Sequence, residues 1–302
     1  MESTNVLRDL SNAAAAAVER ASLAVVALNS RRQMLASGVH WRDGLIVTAH
    51  HAVRHEGEIP ALLPGGGSVS AVLVGRDPST DLALLRVPTK DIAVPAMGDP
   101  SKLRVGEIVL AVGRVETGPR ASLGAIGVAG SAWRTWQGGQ IDQMIRLGFE
   151  IHPTLSGGML VDAEGRCLGI NTTGLSRTLA VTIPLATVNR VVDLLLQKGR
   201  IPRGYLGVGL WAVDLPPALQ SRLGLPETQG LIVQHVEAGG SAEKAGMLMG
   251  DILVRLNSTP VAGVRSLQSL LSAEMVGTNA RALVIRAGAL VELNIPVAER
   301  PS

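Results

Sequence analysis

Aromatic side chains are scarce in this sequence: one phenylalanine, one tyrosine and four tryptophans in 302 residues. Any core must therefore be built from Val, Leu, Ile and Ala, and a stacking platform for single-stranded nucleic acid is disfavoured. Cysteine occurs once, at Cys167, so no internal disulfide framework exists. Cys167 lies in the apolar segment "GRCLGINT" and reads as a small buried hydrophobe, with nothing nearby to lower its pKa. No Cys/His cluster points to a metal, and no motif requires an organic cofactor. Long apolar runs are missing too, which leaves no membrane span. The formal net charge is only +3 and no long Lys/Arg run is present, so a nucleic-acid partner is not indicated. The N-terminus begins acidic, and Glu19 and Arg20 interrupt its apolar stretch. It does not read as a signal peptide, and a cytoplasmic chain is expected.

What is present falls into two textures. Residues from about 4 to 20 form an Ala-rich helical segment with Ser3 or Thr4 as its cap. Short apolar runs then follow between turn residues, among them "GLIVTA", "VSAVLVG", "LALLRV", "EIVLAVG", "CLGINT" and "LAVTIP". Such a series predicts an all-β barrel or sandwich. One clear helix closes it, with Val188, Val191, Val192 and Leu195 at helical spacing and Gly199 beyond its end. The chain thus divides into an N-terminal segment 1–20, a β domain 21–198, a linker 199–202 and a second domain 203–302. The second domain mixes about five strands with short helices, one opened by Pro216-Pro217, one by Ser241 and one capped by Ser266; this is an α+β module.

The chemistry is sought around "HPTLSGGML", where Ser156 precedes two glycines. A nucleophilic serine needs a histidine to take its proton, a carboxylate to orient the imidazole and N–H donors for the oxyanion. "IVTAHHAV" places His50 and His51 at the end of a predicted strand, and "DPSTDLALLRV" places Asp81 just before another. The order is His, Asp, Ser, but spacing alone does not establish a triad.

These three segments resemble the active-site segments of the HtrA/DegP family of trypsin-like serine proteases. "LAVTIPLATV" is similar to the segment lining that family's substrate pocket, and "GLIVQHVEAGGSAEKAGMLMGDILVRLNSTPV" to its PDZ domain. The resemblance runs from about residue 21 onward. It implies a mainly β fold, a chymotrypsin-like double β-barrel followed by an α+β PDZ domain. It also implies His51 as general base, ahead of His50, whose side chain should turn away one residue along the strand end. Asp81 matches the orienting acid, with Asp77 a turn residue, and Ser156 matches the nucleophile. The backbone N–H groups of Thr154 and Ser156 fall where the oxyanion hole should be. Tyr205, Leu206, Gly207 and Val208 are similar to the carboxylate-binding loop of a peptide groove, flanked by Leu267, Leu270 and Leu271.

One departure bears on activity. The family reads Gly-Asn-Ser-Gly-Gly-Pro where this chain reads Thr154-Leu155-Ser156-Gly157-Gly158-Met159. If the first position needs a positive φ, a β-branched threonine there is costly. The expected function is a serine endopeptidase acting on unfolded or misfolded polypeptides, with peptide C-termini as ligands of the PDZ domain. The alternative is a catalytically impaired peptide-binding or chaperone protein. The pocket for the residue before the cut, drawn from "RTLAVTI" with Ile151 and His152, contains no acid, so small or medium apolar side chains are expected there. Trp133 and Trp136 sit in a Gly-rich context as either contact or packing residues. The resemblance also implies a homo-oligomer, usually a trimer, although the N-terminal segment lacks the aromatic residues that commonly build that contact.

Overall fold

The computed structural model describes residues 5–29, 36–53, 57–89, 91–176 and 180–300. The expected caps Ser3 and Thr4, and Arg177 to Leu179 of the pocket segment, lie outside the described residues. The alanine run folds as a helix, Val6–Ser22, whose cap is Asn5: its side chain accepts the Arg8 N–H at 3.2 Å. Only the C-terminal part of this helix is buried, through Ala17, Ala21 and Ser22. Its end is held by Arg114, which is buried and donates to the carbonyls of Ser22 at 3.0 Å and Val25 at 2.6 Å. A cation suits the carbonyl end of a helix, although burial lowers the guanidinium pKa.

Among the described residues, the strands after this helix close into two six-stranded antiparallel barrels. The first runs in the order Val25–Leu28, Ala36–Arg42, Leu45–Ala49, Leu82–Arg86, Ser68–Asp77, Ile59–Leu62. The second runs Met144–Leu147, Val181–Pro184, Cys167–Thr172, Met159–Val161, Ile108–Val115, Gly118–Gly130. This is the double barrel that the resemblance implied. The cores are aliphatic: Val26, Leu28, Ile46, Ile59 and Leu85 fill the first, and Val109, Ile126, Ile145, Leu147 and Leu160 the second. Each such side chain contributes roughly 1.5–3 kcal/mol when fully buried, so many small contributions replace a few aromatic ones. Cys167 is fully buried and its thiol is pushed up to about 12 by that burial, which makes it a packing residue. The helix Leu185–Lys198 packs Val188, Val191, Val192 and Leu195 inward, at the predicted spacing.

The chain separates into two compact units, Met1–Thr135 with Gln140–Ile201, and Trp136–Gly139 with Pro202–Ser302. Trp133 is half-buried against the core of the first unit, whereas Trp136 is exposed. In the second unit an antiparallel sheet runs Val208–Asp214, Gln229–Val236, Ile252–Leu256, Asn279–Arg286, Ala289–Pro296, with Val208–Asp214 at one edge. Helices Pro217–Leu223, Ser241–Lys244 and Val264–Leu270 accompany it. The last of these corrects an expectation. Ser266 is not the residue before the helix but its third residue, and its hydroxyl reaches back to the Gly263 N–H at 3.1 Å. No helix of the described residues is long and apolar enough to cross a membrane.

Candidate active site

Strand register brings the histidine and the acid together. Leu45–Ala49 pairs with Leu82–Arg86 so that Ala49 lies opposite Leu82. The residues just beyond this pair, His50 and His51 on one strand and Asp81 on the other, must then share one barrel edge. The His50 N–H donates to the Asp81 carbonyl at 2.9 Å. The next residue turns its imidazole onto the carboxylate: His51 Nδ1 lies 2.7 Å from Asp81 Oδ2, and the His51 N–H donates to Oδ1 at 2.9 Å. Asp81 is buried and adopts a left-handed φ of 57°, which aspartate tolerates better than most residues. Asp77 folds the preceding turn by accepting from Ser79 and Thr80.

An ionised Asp81 accepts every one of these bonds, and with His51 Nδ1–H as donor the imidazole keeps Nε2 as its base. His50 does not reach the carboxylate side chain. Burial lowers its pKa more than the nearby Asp81 raises it, and its Nδ1 is buried without a hydrogen-bond partner among the described residues.

The serine segment has the opposite character. Ser156 is only 1 % exposed, and its hydroxyl oxygen accepts the Thr173 N–H at 3.1 Å and lies 3.1 Å from the Thr173 hydroxyl. Pro153–Leu155 form a 3₁₀ turn just before it. Within that turn the Thr154 N–H donates to His152 Nδ1 at 3.3 Å, the Leu155 N–H to the His152 carbonyl at 2.8 Å, and the Ser156 N–H to the Pro153 carbonyl at 3.1 Å. The two N–H groups expected to face an oxyanion, those of Thr154 and Ser156, are therefore engaged inside the chain. Thr154 is also not among the residues of positive φ; the 3₁₀ turn relieves the β-branched side chain of the strain that the sequence raised.

Several residues of the site carried no role in the sequence. The Thr172 hydroxyl donates to Asp81 Oδ2, adding a third bond to the carboxylate. A Cβ on Gly174 would lie 2.5 Å from Asp81 Oδ2 and 2.7 Å from His51 Nδ1, so no side chain fits there. Gly157 has φ +81° and its Cβ would collide with the Ser37 carbonyl, which explains the first glycine of the Ser-Gly-Gly turn. Ser37 braces the same turn: its hydroxyl donates to the Thr154 carbonyl at 2.6 Å and its N–H to the Ser156 carbonyl at 3.1 Å. Among the described residues no group of three or more His, Cys, Asp or Glu could hold a metal ion. Ile151 is buried and His152 exposed beside this loop.

A second site lies in the second unit. A cavity of about 240 Å³ is lined by the "YLGV" residues Tyr205, Leu206, Gly207 and Val208, and by Leu267 and Leu271 of the facing helical segment. Leu267 and Leu271 also belong to the buried core, and Leu270 is partly buried against it without lining the cavity. Arg203 and Arg300 also line the cavity, a pair the sequence did not single out, and the Arg300 N–H donates to the Arg203 carbonyl at 2.8 Å. Apolar walls with two arginines in the lining suit an apolar residue that carries a carboxylate.

Comparison with known proteins agrees with the two domains. Residues 36–170 match the trypsin-like peptidase domain family, and residues 204–297 match the PDZ domain family. A "probable periplasmic serine endoprotease DegP-like" of Brucella suis is 34% identical over 86% of this chain and 51% of its own length. The protein of the same description from Chlamydia muridarum is 30% identical over 86% of this chain and 53% of its own length. The chain thus spans about half the length of these curated relatives. Among solved structures, the HtrA-type protease AlgW with a tripeptide is 32% identical, with a TM-score of 0.70, covering 95% of this chain and 97% of that one.

Proposed function

This chain belongs to the HtrA/DegP family of trypsin-fold serine proteases with a C-terminal PDZ domain, and from that premise we propose that it is a serine endopeptidase of unfolded polypeptides. The observation that carries the reading is the Asp81 carboxylate, which accepts from the His51 imidazole, the His51 N–H and the Thr172 hydroxyl at once. A structural aspartate needs no imidazole held in one tautomer; a proton-transfer pair does.

In the proposed reaction Ser156 Oγ attacks the peptide carbonyl while its proton passes to Nε2 of His51. Asp81 stabilises the imidazolium, and His51 then returns the proton to the leaving amine. Water attacks the acyl-enzyme by the same route in reverse. The N–H groups of Thr154 and Ser156 serve the oxyanion once the 3₁₀ turn opens. No metal or organic cofactor enters this scheme. Ile151 and the segment after Ala180 are offered as the wall for a small or medium apolar residue before the cut.

The second unit is proposed to bind peptide C-termini, added as a strand along Val208–Asp214, with the carboxylate at the "YLGV" loop. AlgW was solved with a decapeptide and with a tripeptide, and peptides are the ligand class proposed here. A homo-oligomer, trimeric by analogy, belongs to the same proposal and is read by light scattering. The relatives are called periplasmic. That compartment is proposed in place of the cytoplasmic expectation, and fractionation of cells carrying the tagged full-length gene decides between them.

Digestion of unfolded casein tests the activity. The wild type should cut it, and Ser156→Ala and His51→Ala should not. Casein left intact by all three, with a C-terminal peptide present, would favour the second reading, a peptide-binding protein on a disabled scaffold. The closed oxyanion turn is the observation that keeps that reading alive.

A further inference from the structure

The closed turn has a specific fastener. Of the bonds that hold Pro153–Leu155, one comes from a side chain outside the turn at its N-terminal end: His152 Nδ1 accepts the Thr154 N–H at 3.3 Å and lies 2.9 Å from the Thr154 hydroxyl. For Nδ1 to accept, the ring must carry its proton on Nε2, and the Thr154 hydroxyl then donates to the same nitrogen. His152 is thus an N-cap by imidazole, in a place usually taken by Asn, Asp, Ser or Thr. Facing the Thr154 N–H toward an oxyanion requires the Pro153–Thr154 peptide to rotate. That rotation breaks two bonds, Thr154 N–H to His152 and Ser156 N–H to the Pro153 carbonyl. It leaves the next peptide in place, where the Thr154 carbonyl stays on the Ser37 hydroxyl, itself fixed by the Arg114 N–H at 3.0 Å. The frame and the fastener are therefore separable. The frame is buried strand and the fastener is one exposed ring.

We infer that His152 is a positioning residue for the oxyanion hole: its imidazole latches the Thr154 N–H away from the site, and release of that latch raises the reactivity of Ser156. The inference rests on the serine-protease reading and adds to it the group that sets the resting state. Because His152 is exposed, its removal takes nothing from the core, and the gain appears in reaction rate rather than as unfolding.

The test compares the full chain with His152→Ala and His152→Asn, reading the second-order rate of labelling by a fluorophosphonate, with Ser156→Ala as blank and the melting temperature as control. His152→Ala should label about fivefold faster, the factor expected for loss of one net hydrogen bond from the closed state. His152→Asn, whose side-chain oxygen can accept the same N–H, should return to the wild-type rate. Equal or slower labelling by His152→Ala, or His152→Asn as fast as His152→Ala, would overturn the latch.

A second measurement stands apart from activity. The ¹⁵N shifts of His152 in the labelled wild type should report the Nε2–H tautomer with Nδ1 as acceptor, and Nδ1–H would overturn the inference. If no variant labels, the protease reading fails, and the tautomer still decides whether the latch exists.

Discussion

The two halves of the site are built differently. His51 and Asp81 stand at the ends of paired strands whose register, Ala49 opposite Leu82, leaves them no choice of neighbour. They make two contacts through one carboxylate, which also accepts from Thr172, and Gly174 walls the pair. Ser156 and its proposed oxyanion donors instead depend on the segment 152–156, where the N–H groups of Thr154, Leu155 and Ser156 can be satisfied in more than one way. Here they are satisfied by each other. The proposed base is therefore held in place while the proposed oxyanion donors are folded away. Strands hold groups that must not move, and a short turn holds the ones that must.

The largest effect that would test this contrast is on the rigid half. Asp81→Asn should lower casein turnover by about 10⁴, because the imidazole loses its tautomer while the fold is kept. A loss of under about tenfold would mean that the strand-built half does not carry the chemistry. Next, Gly174→Ala should cost roughly a hundredfold in turnover, since its Cβ pushes on both Asp81 and His51, and displacements near 1 Å cost about that much. Full activity in this variant would show that the wall is not needed. The smallest effect, and the one of opposite sign, belongs to the turn-built half. Thr154→Gly should raise fluorophosphonate labelling on the order of tenfold by freeing the peptide to turn. This stays below the ~10²–10³ of a wholly missing donor because the His152 contact to the N–H remains. A slower Thr154→Gly variant would make the two halves equally rigid and remove the contrast.

The rigid half was also the legible one. Short apolar runs are local signals, and a β barrel or sandwich and the helix Leu185–Lys198 follow from them; the double barrel was implied by the resemblance that the segments around His51, Asp81 and Ser156 carry. Thr172 was within view in "GINT" but received no role, because its value depends on a strand 91 residues away that the sequence does not name as its neighbour. Gly174 escaped for the same reason: its Cβ clashes only once two distant segments meet. The oxyanion turn was half legible. Threonine in place of glycine announced a departure, yet whether it strains or closes the loop depends on where its N–H goes, and His152 decides that. Ser266 and Leu270 show the smaller errors: the helix starts at Val264, three residues before a cap at Ser266 would allow, and Leu270 packs against the core without lining the cavity.

The most direct test of the account is the structure of the Ser156 adduct with a peptidyl phosphonate. In that adduct the Pro153–Thr154 peptide should have turned, with the Thr154 and Ser156 N–H groups on the phosphonate oxygen and the His51–Asp81 contact unchanged near 2.7 Å. An adduct that forms with the 3₁₀ turn still closed, or a Ser156 that never reacts, would contradict it.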